Sequence, residues 1–93
     1  MKYRVGALMS VVPAAVALAA PAVADEEEFV RTMQSTYAFL TDQQLRSEGA
    51  KICSTLGSGT PASDAVIMVS NDLSVSVSAA GEIVSAAVVH LDC

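Results

Sequence analysis

The feature that most constrains this chain is where its apolar residues lie. Residues 1–24 hold 18 of them, three quarters of that stretch, whereas residues 25–93 hold 31 in 69, about 45%. The second figure is the ordinary value for a globular domain. The chain therefore divides at Ala24, and the two parts call for different readings.

The first part reads as an address. Lys2 and Arg4 give a short positive start, Val5 to Ala20 is apolar apart from Gly6, Ser10 and Pro13, and Pro21-Ala22-Val23-Ala24 runs directly into Asp25. Ala22-Val23-Ala24 is the small-x-small pattern cut by a signal peptidase, so cleavage between Ala24 and Asp25 is expected. A membrane anchor is the rival reading. The apolar stretch falls short of the about 20 residues a span needs, it contains Pro13, and an acidic run follows it at once. No cysteine sits at the cleavage point to carry a lipid, and no twin-arginine pair is present. The expectation is export by the general secretory route, to the cell envelope or the medium, with no stable membrane anchor after cleavage.

Removing residues 1–24 changes the charge. Residues 25–93 retain Arg31, Arg46 and Lys51 against ten acidic residues, a net charge of −7. That balance argues against nucleic acid and against anionic lipid heads, and favours solubility or at most a cationic partner. A domain of 69 residues also buries only about 60% of its unfolded surface, and small exported domains commonly add a covalent staple. Two cysteines remain, Cys53 and Cys93, and export would place both in an oxidising compartment. One Cys53–Cys93 disulfide is the simplest pairing. The loop so closed would contribute about 4 kcal/mol in the chain-entropy account. A metal site is the alternative, but two thiolates and a nearby His90 fall short of the four ligands of structural zinc. Unpaired or intermolecular thiols are the third possibility.

The periodicities of residues 25–93 are helical. Asp25-Glu26-Glu27-Glu28 reads as a capped helix start, with Asp25 as N-cap and Glu28 reaching back. As a calcium site the run is poor, since calcium wants ligands from a shaped loop. Phe29, Val30, Met33 and Tyr37 follow at helical spacing. Thr41 with Gln44 three residues on marks a second start, and Leu45, Ile52, Cys53 and Leu56 form its stripe. Gly49 lies on the same face one turn before Cys53. A glycine inside a helix costs about 1 kcal/mol against alanine, so close approach of a neighbouring backbone, the segment carrying Cys93, is expected there. Gly57-Ser58-Gly59 ends this helix. Thr60 as N-cap and Pro61 at the first position start the next. Its Val66-Ile67-Met68-Val69 run predicts a short, largely buried helix ended by Ser70-Asn71-Asp72. Leu73 to Ser78 alternates with period two, a strand signal. Leu73, Val77, Ala80, Val84, Ala87 and Leu91 nevertheless repeat at helical steps. The expectation is an extended lead-in and a helix from about Ser76 to Leu91, rich in alanine and open to close approach.

The inventory for chemistry is thin. His90 is the one histidine and sits near a helix C-terminus, where the dipole favours it. Gly57-Ser58-Gly59-Thr60 lacks the lysine and length of a phosphate loop. No nucleophile elbow is present. Tyr37, Phe29 and Phe39 are too few for a base-stacking platform, and Met33, Met68 and the two Phe read as core. The carboxylate pairs read as exposed turns with no apolar pocket to raise a pKa. No cofactor, no metal and no catalytic residue is expected.

The order of elements carries a resemblance. It runs Asp25-Glu26-Glu27-Glu28-Phe29-Val30, Gly49-Ala50-Lys51-Ile52-Cys53, Gly59-Thr60 followed by Asp64-Ala65-Val66, Leu73-Ser74, an alanine-rich helix and Cys93. This resembles the small secreted actinobacterial, mainly mycobacterial, proteins of domain-of-unknown-function family 732. The resemblance spans residues 25–93. It implies an exported, mainly helical domain with its two cysteines paired, and no assigned activity, cofactor or catalytic residue. The chain departs from that pattern in having Leu91-Asp92 before Cys93, where the family usually has an aromatic residue.

Together these readings predict an all-α domain, a small bundle of three to four short helices stapled by one disulfide. The function they favour is a non-catalytic interaction module that engages a protein or envelope partner. A secreted effector or bacteriocin-like protein is the alternative, and a small hydrolase is a weaker one.

Overall fold

The computed structural model describes the backbone from Val11 to Cys93 and side chains from Ala24 onward. Lys2, Arg4 and the early apolar stretch, on which the export reading rests, lie outside the residues so described. Four helices follow one another: α1 (Val11–Thr36), α2 (Asp42–Gly57), α3 (Ala62–Leu73) and α4 (Val77–Leu91). No strand occurs among the described residues. No single helix among them is long and apolar enough to cross a membrane.

α4 is the central element. It packs against α1, α2 and α3, whereas the backbones of α1 and α3 do not approach each other among the described residues. Its buried face is Ala80, Ile83, Val84 and Ala87, and the small side chains at 80 and 87 let neighbouring helices close on it. The largest fully buried side chains come from all four helices: Phe29 from α1, Leu45 and Ile52 from α2, Val69 from α3 and Ile83 from α4. Burying a side chain of this size stabilises by about 1.5–3 kcal/mol, so each helix is held by at least one such contact.

The connections follow local chemistry. Between α1 and α2, the Tyr37 amide donates to the Met33 carbonyl at 2.7 Å and the Leu40 amide to the Tyr37 carbonyl at 3.0 Å. Thr41 then caps α2 with both halves of a capping box. The Gln44 amide donates to Thr41 Oγ1 at 3.0 Å, and the Thr41 amide donates to Gln44 Oε1 at 2.9 Å. After α2 the chain turns through Gly59 at φ +97°, a left-handed value that glycine adopts without cost. Ser76 caps α4, accepting from the Ala79 amide at 3.1 Å. The lead-in and helix expected for the last segment are therefore observed, and the period-two alternation at Leu73 to Ser78 forms no strand.

Several expectations need correcting. Asp25 does not cap a helix, because α1 is already helical from Val11. Glu28 accordingly turns to Arg31, at 2.8 Å. Thr60 is not the cap of α3. Pro61 holds that position with an extended backbone (φ −62°, ψ 149°) and no side-chain cap, while its carbonyl accepts from the Asp64 and Ala65 amides. Ser70-Asn71-Asp72 does not break α3. The helix continues to Leu73 and ends where Ser74 turns left-handed at φ 55°, with Ser70 Oγ donating to the Val75 carbonyl at 2.6 Å. α3 is less buried than its composition predicts: Ala65 and Val69 are buried, but Ile67 is exposed. Phe39 is likewise on the surface, in the turn between α1 and α2, and Val77 lies outside the core, because α4 turns its 80–83–84–87 face inward.

Candidate functional site

The two cysteines meet. Cys53, on the edge of the α2 stripe, is bonded to Cys93 just beyond α4, with Cα atoms 5.1 Å apart. That separation lies inside the normal range for a disulfide. Asp92 adopts a left-handed conformation (φ 60°, ψ 42°) at the end of α4.

Gly49 sits where α1, α2 and α4 converge. A Cβ placed on it would lie 2.9 Å from Leu91 Cδ1 and 3.1 Å from Phe29 Cε2. The close approach is therefore made by side chains rather than by a backbone. One of them does belong to the segment carrying Cys93, as expected; the other belongs to α1.

The residue before Gly49 is a buried carboxylic acid that the pattern of charges does not single out. Glu48 is only 6% exposed, and its Oε2 is buried without a hydrogen-bond partner. It faces Asp72, near the C-terminal end of α3, and Lys51, one turn along α2. Lys51 Nζ donates to Asp72 Oδ2 at 2.8 Å. Burial pushes the Glu48 carboxyl up to about 7, Asp72 adds to the rise, and Lys51 opposes it. Asp72 is held below the ordinary carboxylate range, first by the Lys51 ammonium and then by Glu48. The seam between α2 and α3 therefore contains one carboxylate, one ammonium and one carboxyl that favours its proton. The sequence did contain a signal for this. Glu48 is three residues after Leu45 and four before Ile52, squarely on the apolar stripe of α2.

The other charges are also paired. Arg46 links α2 to α1, with Nη1 2.8 Å from Glu26 Oε1, and it also holds Asp42 within its own helix. Among the described residues, Arg31, Arg46 and Lys51 each stand in an ion pair. Tyr37 donates its hydroxyl to Glu82 on α4, and this bond raises the Tyr37 pKa. Beside it Phe39 is 68% exposed, its ring edge-on to Tyr37 with centroids 6.3 Å apart. Val89 is 74% exposed on α4. His90 is half-buried in the last turn of α4. Ala24 and Asp25 are both exposed, within α1. No group of three or more metal-ligating side chains is found among the described residues.

The sequence model of a family described as "Protein of unknown function (DUF732)" matches residues 24–93. The chain belongs to that family. No curated protein and no solved structure matches the chain.

Proposed function

We propose that this member of a family of unknown function works after export, in the cell envelope or the medium, as a non-catalytic interaction module for a protein or envelope partner. The observation that carries this reading is the division of its surface. Arg31, Arg46 and Lys51 are all engaged in ion pairs within the domain, while Phe39 and Val89 stand exposed on a domain of net charge −7 over residues 25–93. Nucleic acid and anionic lipid require cations free to meet phosphate. A partner offering basic and apolar groups suits this surface.

Export is supported by the composition of residues 1–24 and by the disulfide, which persists in oxidising compartments. The non-catalytic reading is supported by the state of the reactive groups. Both cysteine sulfurs are tied up in the disulfide, and among the described residues the one carboxyl with a strongly raised pKa is buried.

Expression of the full chain with its own leader tests the address. The product recovered from medium or envelope should begin at Asp25 and weigh about 2 Da less than its reduced form, the mass of two hydrogens lost on pairing two thiols. A cell-retained product beginning at Met1 overturns the export reading. Photo-crosslinking from p-benzoylphenylalanine at position 39 tests the interaction. Capture of a defined partner from position 39 and not from position 63 supports the reading, and equal or no capture from both overturns it.

A further inference from the structure

Glu48 presents a physical problem that the fold answers in only one way. Its carboxyl is buried at the contact of α2 with α3 and one oxygen lacks a donor. The group facing it across that contact is another carboxyl, Asp72. Two carboxylates only accept hydrogen bonds, and like charges so placed cannot both ionise freely. Among the described residues the cation that acts on Glu48, Lys51, is already bonded to Asp72 at 2.8 Å. Asp72 also lies in the last turn of α3, where the negative end of the helix dipole adds to the repulsion. A proton on Glu48 removes the conflict, because its hydroxyl then donates to the Asp72 carboxylate.

We propose that the α2–α3 seam is an acid-closed latch, in which Glu48 and Asp72 share one proton while the seam is shut and release it to water when the end of α3 opens. The groups acting on Glu48 are Asp72 from α3 and Lys51 from α2 itself. From α1, Glu26 is held by Arg46. From α4, Glu82 takes the Tyr37 hydroxyl, and His90 lies in the last turn of that helix.

The sign of the effect follows from the direction of the shift. Burial and Asp72 raise Glu48 from its ordinary 4.5 to about 7. Across that interval the closed state keeps a proton that the open state has lost. Closure therefore weakens as pH rises, by up to about tenfold per pH unit, and levels off once Glu48 is ionised in both states. The latch is thus shut in mildly acidic surroundings and loosened in mildly alkaline ones.

Hydrogen exchange on the oxidised full chain, at pH 5.5 and pH 8 and corrected for intrinsic rates, reads the latch directly. The unaltered protein should lose at least tenfold protection in residues 62–73, and Glu48→Gln, which donates to Asp72 at every pH, should lose none. Equal protection at both pH values in the unaltered protein overturns the proposal. So does an undiminished loss in Glu48→Gln. If Glu48→Gln does not fold, carbon-13 NMR titration of the Glu48 carboxyl in the unaltered chain decides. A midpoint near 7, tracked by amide shifts in 62–73, supports the latch. A midpoint near 4.5, or one without those shifts, refutes it.

Discussion

Leu91 occupies the space that a side chain on Gly49 would need, its Cδ1 2.9 Å from the position of the missing Cβ. This contact joins α2 to the end of α4 two residues before the disulfide. Gly49→Ala sets two effects against each other. Alanine gains about 1 kcal/mol of helix propensity, but overpacking a filled site costs about 1–3 kcal/mol. Leu91 can swing its flexible end aside, whereas the fully buried Phe29 ring at 3.1 Å cannot. Packing should win, with a net loss of about 1 kcal/mol in urea unfolding. In a Leu91→Ala background the same substitution should cost less, because Phe29 then has room to move. Equal costs in both backgrounds would show that Leu91 does not confine the Phe29 ring.

The Cys53–Cys93 bond closes a loop of 40 residues. In the chain-entropy account such a closure contributes about 4 kcal/mol, a large fraction of what a domain this small can hold. Cys93→Ser should lower the urea midpoint by the equivalent of about 2–4 kcal/mol with the helices retained in the folded state. Circular dichroism of the variant at low denaturant checks the second half of that expectation.

The starts of α2 and α4 were legible because their causes are local. Thr41 and Gln44, and Ser76 with the Ala79 amide, lie within four residues of each other, and the sequence displays them together. Gly49 was legible in part: glycine at a core position implies a close neighbour, and the segment carrying Cys93 was the right one. Phe29 was not foreseen there, since nothing in a one-dimensional pattern aligns α1 with α2. Glu48 was missed for a related reason. Its position on the stripe was visible, but its partner Asp72 lies 24 residues on, and only folding makes the two carboxyls face each other. Phe39 and Ile67 read as core by type alone; Phe39 is exposed because it lies in the turn between α1 and α2, and Ile67 because α3 buries Ala65 and Val69 instead.

Thr41→Ala should remove one half of the α2 capping box, leaving the Gln44 amide without its 3.0 Å acceptor. Loss of such a cap costs about 1 kcal/mol. The Gln44→Ala variant should cost less, because the Thr41 amide it exposes lies in a solvent-accessible turn. Equal costs would mean that water does not replace the Gln44 acceptor.

Lys51 is the lever on the buried carboxyl pair, and its removal has opposite consequences in two pH windows. Asp72 is depressed from its ordinary 3.8, so its stabilising share is present above that value and lost as pH falls through its folded value. Glu48 is raised from 4.5 to about 7, so its share declines as pH climbs through that interval. Stability attributable to the pair should therefore peak at roughly pH 4–5, between the two windows. Lys51→Met withdraws the ammonium that holds Asp72 down and opposes the rise of Glu48. Asp72 then loses the depression that makes stability climb as pH rises towards 3.8, and Glu48 rises further above 4.5, so the acid limb should flatten and the peak should move to lower pH. The exposed Lys51–Asp72 pair itself is worth at most about 1 kcal/mol, so the variant should remain folded throughout. Denaturant midpoints measured from pH 3 to pH 9 for both proteins test this. An unmoved peak in Lys51→Met would show that Lys51 does not control the pair.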